Sequence, residues 1–391
     1  MPSRRCRSSA CSRPSAGPDI ILSDDAQRTL FHPFDTGDLD VPGKGARALF
    51  IGAEPGFRLP DGFEANLMLV QGFRLDFMKL GAGRHRVVPE VEGNGYDIAL
   101  VLVGKHAGLN ERRLAEAILR VKPGGVVVAG GSKAHGAASL RKTLARVADP
   151  VARSAEASAA VEGDPSTRRR DQHPWSGEVP LSGSLSKYHG IALWLERSAE
   201  AERFARTVIE WQSGWPLIDG RFHTAPGMFS HERVDAGSKL LVQHLPLDLS
   251  GAVADFCAGW GYLAAEALDR CAGIASLDLF EADHPSLEAA RANLADARVP
   301  VGFHWTDLAA EPVPRKFDAV LMNPPFHQGR AADPGIGAAM IRAASGALKP
   351  SGRLFMVANR GLPYEAALSA GFRQSGEIVR DQTYKVLWAK R

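Results

Sequence analysis

Short, continuous apolar runs, rather than period-two alternation, mark the strands of this chain. Ile98–Val103, Val126–Val128 and Ile191–Trp194 are of this kind, and Val253–Phe256, Ile274–Phe280 and Val301–Trp305 read as further strands with one or two polar or small residues inside them. Continuous runs of this length suit strands covered on both faces. Stretches with helical character separate them, among them Ser198 to Glu210 and Tyr262 to Leu268. Strands alternating with helices predict an α/β fold with a doubly wound, mostly parallel sheet.

The pattern occurs twice. Tyr96-Asp97-Ile98-Ala99-Leu100-Val101 is echoed by Phe317-Asp318-Ala319-Val320-Leu321-Met322, an aromatic, an Asp and an apolar strand. Val121-Lys122-Pro123-Gly124-Gly125-Val126 is echoed by Leu348-Lys349-Pro350-Ser351-Gly352-Arg353, the end of a helix, a turn and a buried strand. Tyr188-His189-Gly190-Ile191-Ala192-Leu193-Trp194 is echoed by Tyr384-Lys385-Val386-Leu387-Trp388. Three echoes in one order predict two tandem copies of one α/β unit, each closing on an antiparallel hairpin. The expected division is a tail over 1–20, a first unit over 21–200 and a second over 201–391. A stretch rich in Ala, Ser, Pro and Gly, from about Asp149 to Ser186, reads as a loop insertion in the first copy.

Composition narrows the class. With 45 % hydrophobic and 23 % charged residues, the chain has the make-up of a soluble globular protein. Its longest apolar run is far short of the ~18 residues that span a bilayer. The net charge of +3 belongs to the tail: residues 1–18 carry Arg4, Arg5, Arg7 and Arg13 and no acid, and without them 43 basic residues face 44 acidic ones. Any nucleic-acid surface is therefore a local patch, with Arg168-Arg169-Arg170 a candidate. The tail fits a transit peptide, an extension, or a start placed upstream. Cys6, Cys11, Cys257 and Cys271 have no metal-like spacing, so no metal is expected, and a reducing cytoplasm is the expected compartment.

The candidate chemistry lies in the second copy. Val253-Ala254-Asp255-Phe256-Cys257-Ala258-Gly259-Trp260-Gly261 is a strand running into a glycine turn, where the backbone can approach a ligand closely. The next strand ends in Glu281, placed to accept ribose hydroxyls, and the third ends in Thr306-Asp307, placed to meet an adenine edge. Each acid singly also fits a helix cap.

The fourth strand ends in Asn323-Pro324-Pro325-Phe326, the most specific signal in the chain. Two prolines remove two backbone donors and stiffen the chain, leaving nearby carbonyls free to accept. The Asn oxygen and such a carbonyl can grip both hydrogens of a planar amine and aim its lone pair at an electrophile. Phe326 can stack on the ring that bears the amine.

This ordered set resembles the class I S-adenosylmethionine-dependent methyltransferases that act on amino nitrogens. Thr224-Ala225-Pro226-Gly227-Met228-Phe229-Ser230, then Asp235-x-Gly237 and Leu240-Leu241, with His327, Gln328 and Gly329 after Phe326, is similar to the bacterial ribosomal RNA guanine-N2 enzymes. Among these the small-subunit (16S) enzymes are the nearest likeness. The resemblance implies tandem units with an inactive first copy. It also implies S-adenosylmethionine near Asp255, Cys257, Gly259 and Gly261, with Glu281 on the ribose, Asp307 on the adenine amine and Asn323 beside the methyl group. A flipped guanine would lie against Asn323, Pro324, Pro325 and Phe326, in a protein expected to act as a monomer on ribosomal RNA or a ribosomal subunit. Cys257 departs from the family's glycine, and Trp260 is bulky enough to shield the donor.

The first copy has Leu102-Val103-Gly104-Lys105 where the second has Asn-Pro-Pro-Phe, and Phe50-Ile51-Gly52-Ala53-Glu54-Pro55-Gly56 without the strand acid. Packing and RNA presentation are its expected roles, with Lys105, Arg112 and Arg113 as candidate phosphate contacts or a solvated helix face. The Asn-Pro-Pro-aromatic core also serves adenine-N6 and glutamine-N5 methylation, and a non-catalytic RNA-binding or assembly protein is the competing class.

Overall fold

A computed structural model describes residues 18–145, 173–325, 327–328, 331–332 and 334–391. The arginine-bearing tail, Arg168–Arg170, Phe326 and Gly329 lie outside the described residues.

The first unit contains α1 (Pro18–Asp35), β1 (Arg47–Ile51), β2 (Asn66–Val70), α2 (Arg74–Gly81), β3 (Arg86–Val88), β4 (Tyr96–Leu102), α3 (Ala107–Arg120), β5 (Val121–Ser132), α4 (Ala137–Leu144), β6 (Gly183–Lys187), β7 (Gly190–Glu196) and α5 (Ala199–Ser213). The second contains α6 (Ala236–Gln243), β8 (Ser250–Phe256), α7 (Tyr262–Arg270), β9 (Gly273–Glu281), α8 (His284–Asn293), β10 (Val301–Trp305) and β11 (Phe317–Met322). There follow a short antiparallel pair, β12 (His327–Gln328) with β13 (Ala331–Ala332), then α9 (Pro334–Ala347), β14 (Leu348–Asn359), α10 (Glu365–Gly371), β15 (Gln374–Arg380) and β16 (Tyr384–Lys390).

Each unit has a seven-stranded sheet, in the orders β3-β2-β1-β4-β5-β7-β6 and β10-β9-β8-β11-β14-β16-β15. Five strands in each are parallel, and the closing hairpin is antiparallel. The expected α/β architecture is therefore present twice. The stretch read as a loop insertion ends in a strand, since Gly183–Lys187 pairs with β7.

The echoes have a physical cause. Asp97 accepts from Arg47 N at 2.7 Å and from Lys122 Nζ at 2.6 Å. Asp318 accepts from Ala252 N and Lys349 Nζ, both at 2.8 Å. In each copy the Asp ties the start of the first strand to the Lys of the Lys-Pro turn. These acids hold the strand starts, at the end of the sheet away from the glycine turn.

α5 crosses the expected boundary between the units. Ser198 caps it by accepting from Ala201 N at 3.2 Å, and Phe204, Ala205 and Val208 are buried in the core of the first sheet.

The two units meet through equivalent segments. Ile51 pairs with Val70 and Phe256 pairs with Phe280, so Gln71 and Glu281 occupy the same place at the end of the second strand of each sheet. Two residues further on, Phe73 and Asp283 form an isolated antiparallel bridge. Arg74 N donates to Ala282 O at 2.8 Å, and His284 N donates to Gly72 O at 2.9 Å. The contact thus repeats itself about a local two-fold relation. Arg74 also makes a two-pronged ion pair with Glu311, at 2.9 and 2.6 Å.

Candidate active site

Parallel strands leave their carboxyl ends open to a ligand, and the second sheet places a cavity of ≈ 500 Å³ there. Cys257 and Gly259 from the turn after β8, Glu281 as the last residue of β9, Asp307 after β10, and Asn323, Pro324 and Pro325 after β11 all line it. Four successive strand ends therefore converge on one space. Among the described residues, Glu281 and Asp307 are the only charged side chains in its lining, which suits a ligand carrying positive charge. Apolar side chains, including Phe280, Leu308, Ile336 and Met340, form most of the remaining wall.

Glu281 is held by backbone donors. Its Oε2 accepts from Gly259 N at 2.7 Å, and its Oε1 from Ala282 N and Asp283 N at 2.8 and 2.9 Å. Enclosure nonetheless pushes its carboxyl up to about 7, with these donors pulling the other way. Asp307 closes a turn by accepting from Ala309 N at 3.0 Å, and its own N donates to Glu311 Oε2 at 2.9 Å.

Asn323 donates both hydrogens of Nδ2, to Asp235 Oδ2 at 3.1 Å and to Ser238 Oγ at 2.9 Å. This fixes the amide and leaves Oδ1 as its acceptor. Asp235 is itself fixed by capping α6, where its Oδ2 accepts from Ser238 N at 2.8 Å. Pro324 and Pro325 follow without N–H groups. Phe326 lies outside the described residues, so its candidate stacking role is not located here.

Two of the expected donor contacts stand behind the cavity rather than in its wall. Asp255 is fully buried, and its Oδ2 accepts from Ala264 N at 3.0 Å, holding the start of α7. Burial raises its carboxyl well above the usual range. Gly261 takes φ +87° at the N-cap of α7, where a Cβ would sit 3.2 Å from Ala290 Cβ. Both residues shape the glycine turn from outside.

Cys257 takes φ 57°, a left-handed conformation that costs a side chain strain. Trp260 points away from the cavity. It is buried against Phe222 and Tyr262, and its Nε1 donates to Phe229 O at 2.9 Å, so it anchors the 222–231 segment and does not shield the site.

Sequence reasoning missed the contribution of the first unit. Phe73 and Leu75 complete the wall of the cavity. The signal was a large aromatic two residues beyond Gln71, the position equivalent to Glu281.

The first sheet has a counterpart cavity of ≈ 410 Å³ at the same strand ends, walled by Asp283 and Pro285 of the second unit. Strand registers match Phe50 with Asp255, Gln71 with Glu281, Val91 with Asp307, and Leu102 with Asn323. All four side chains of the candidate site are replaced. Arg113 also enters this space: its Nη1 donates to Leu102 O at 3.2 Å, and a Cβ on Gly52 would lie 2.7 Å from it. Arg113 is thus turned inward and does not belong to a solvated helix face. Arg112 pairs with Glu116 at 3.4 Å.

Among the described residues, no group of His, Cys, Asp and Glu is arranged to hold a metal ion, and no helix is long and apolar enough to cross a membrane.

Residues 219–388 match the family model described as "Methyltransferase small domain". The chain is 35 % identical over 206 residues to the ribosomal RNA small subunit methyltransferase C of Sodalis glossinidius, covering 52 % of this chain and 55 % of that one. It is 33 % identical over 196 residues to the protein of the same name from Chromohalobacter salexigens, covering 48 % and 58 %. The chain thus spans about half the length of the curated relatives it matches. Its fold is shared nearly end to end with the T. thermophilus 16S rRNA N2 G1207 methyltransferase (RsmC), solved in complex with AdoMet and guanosine. The TM-score is 0.67 at 22 % identity, covering 94 % of this chain and 92 % of that one. The resemblance read from the motifs is borne out by these matches.

Proposed function

We propose that this chain transfers a methyl group from S-adenosylmethionine to the exocyclic N2 amine of a guanine in ribosomal RNA, with 16S rRNA of the small subunit as the substrate. The observation that carries this reading is Asn323, locked by Asp235 and Ser238 and followed by two prolines, in the same cavity as Gly259, Glu281 and Asp307. The relatives named above support the choice of substrate.

The cavity fits the donor. Its volume suits a nucleoside-sized ligand, and the charged groups that line it among the described residues are acids, which match a sulfonium cation. Glu281 would hold the ribose hydroxyls, Asp307 the adenine amine, and the Cys257–Gly259 backbone the methionine end. When bound, S-adenosylmethionine supplies an electrophilic methyl group on a positively charged sulfur.

The rest is done by this chain's own residues. Asn323 Oδ1 and the carbonyl at Pro324 accept the two N–H bonds of the guanine amine. Gripping both hydrogens turns the nitrogen lone pair toward the methyl carbon. A nitrogen–carbon bond forms as the carbon–sulfur bond breaks, and the amine then loses a proton to solvent. No strong base is needed, and alignment can supply ~7–11 kcal/mol of the barrier reduction. Phe326 is the candidate stacking partner for the flipped base.

We assign the catalytic role to the second unit and a supporting role to the first, with the division placed after α5 because that helix packs into the first core. In this reading the protein acts as a monomer in the cytoplasm. The test is labelled methyl transfer to small ribosomal subunits and to naked rRNA, followed by nucleoside analysis. Label recovered as N2-methylguanosine is the expected outcome; label in N6-methyladenosine or in protein would overturn the assignment.

A further inference from the structure

The donor cavity is not built by the second unit alone. Phe73, a large aromatic left 39 % exposed, stands in its wall beside Ala282 and Glu281. The backbone around it is fixed from several directions. Phe73 N donates to Gln71 Oε1 at 2.8 Å, and Gly72 O accepts from His284 N at 2.9 Å and from Trp305 Nε1 at 3.1 Å. On the other side, Arg74 N reaches Ala282 O at 2.8 Å, and the Arg74 guanidinium grips Glu311. Glu311 in turn accepts from Asp307 N. A backbone held this firmly fixes the point from which the Phe73 ring projects, so little backbone freedom is lost when a flat ligand covers the ring.

The local two-fold relation makes the arrangement one-sided. Phe73 borders both cavities, but across the interface it and Leu75 wall the second unit's cavity, while their counterparts Asp283 and Pro285 wall the first unit's cavity. Among the described residues, the cavity that keeps the strand-end acids is the one that receives an aromatic from across the interface.

We propose that Phe73 of the non-catalytic unit packs on the adenosine end of the methyl donor, so that the first unit supplies part of the donor site. The inference rests on the donor-binding reading above. Ring contact with adenosine is the same before and after the methyl group leaves. Phe73 is therefore a binding residue that acts on donor and product affinity and leaves the transfer step untouched.

The test is calorimetry on the full chain with S-adenosylhomocysteine and with 5′-methylthioadenosine, which lacks the amino-acid end. Loss of one ring-stacking contact in Phe73→Ala is expected to weaken both ligands by the same factor, roughly tenfold. Phe73→Tyr keeps the ring and should bind like the wild type. At saturating donor, Phe73→Ala should keep its turnover number within about twofold while its donor KM rises. Wild-type affinity in Phe73→Ala overturns the inference. So does a loss that Phe73→Tyr fails to restore, or one seen with S-adenosylhomocysteine alone. Failure of the wild-type chain to bind either ligand sinks the donor-site reading itself, which separates the two.

Discussion

Gln71 and Glu281 occupy equivalent positions at the end of the second strand of their sheets, and each ties down its own glycine turn with opposite hydrogen-bond polarity. Glu281 Oε2 accepts from Gly259 N at 2.7 Å, whereas Gln71 Nε2 donates to Ala53 O at 2.7 Å. The same site is thus an acceptor with a negative charge in one unit and a neutral donor in the other. The exchange preserves the turn, and on the proposed reading it removes the carboxylate that would accept the ribose hydroxyl protons.

One donor molecule per chain is the consequence. Val91 stands at the position matching Asp307, and the Arg113 side chain fills the space beside Gly52, where a Cβ would lie 2.7 Å from its Nη1, so the turn that would receive a donor is occupied. Calorimetry should return a stoichiometry near one, and Asp307→Ala should remove most of that binding. A second site of comparable strength would contradict the assignment of the first unit as ligand-free.

Donor affinity should depend on pH through Glu281. Its carboxyl titrates at about 7 in the folded chain, against an ordinary value of 4.5. Because the folded value is raised, the ionised group costs stability. The cost is absent below 4.5, grows between 4.5 and 7, and is complete above 7. Ribose hydroxyls donate to the carboxylate, so binding should strengthen as pH rises through 7. Melting temperatures with and without S-adenosylhomocysteine should show a larger ligand-induced rise at pH 8 than at pH 6. Glu281→Gln should bind weakly and lose that pH dependence.

The contact between units should weaken in acid. Arg74, hydrogen-bonded to Glu311, pulls that carboxyl down to about 2. With the folded value depressed, the pair stabilises the fold fully above about 4.5, and the contribution is lost as pH falls toward 2. Arg74→Ala should cost about 1–2 kcal/mol at pH 7, allowing for partial exposure of both side chains. Denaturant unfolding should show the difference from wild type shrinking at pH 3.

Cys257 should tolerate glycine better than any branched residue. At φ 57° a side chain carries left-handed strain of about 1–2 kcal/mol, while glycine's extra unfolded-state freedom takes back ~0.5–1 kcal/mol. The first unit already has glycine at the matching position, Gly52, with φ +74°. Cys257→Gly is expected to melt no lower than the wild type and to bind donor at least as well. Cys257→Val should melt several degrees lower, and a reversed order would show that thiol packing outweighs the strain.

The duplication was legible because its markers are structural. Asp97 with Lys122 and Asp318 with Lys349 make the same tie in both sheets, and continuous apolar runs such as Ile98–Val103 reveal strands buried on both faces. The acids at strand ends were legible for the same reason: parallel strands deliver their last residues to one edge. What could not be read was which acids face the ligand. Asp255 and Glu281 both end strands of apolar pattern, yet burial assigns the first to helix capping and the second to the cavity. Contacts across the interface, such as Arg74 with Glu311, join residues more than 200 positions apart and leave no local pattern.

Asn323 should act through its oxygen, and that orientation depends on Asp235. With Nδ2 donating to Asp235 Oδ2 and Ser238 Oγ, Oδ1 is left to accept the substrate amine. Asn323→Ala removes that acceptor and should abolish transfer while donor affinity, carried by Glu281 and Asp307, stays nearly intact. Asp235→Asn supplies an amide whose orientation is no longer dictated by charge, and Asp235→Ala supplies no acceptor at all. Both should lower turnover by about 10²-fold or more, as expected when a reacting group loses its alignment, with the alanine variant the worse of the two. Asp235→Ala also uncaps α6, at a cost of about 1 kcal/mol. Melting temperature and donor affinity measured beside turnover separate the two effects. Ser238→Ala removes one hydrogen bond to Nδ2 and leaves the cap acceptor in place, so its turnover should fall between wild type and Asp235→Ala. Full activity in Asp235→Ala, with a lowered melting temperature, would show that the acid serves the helix alone.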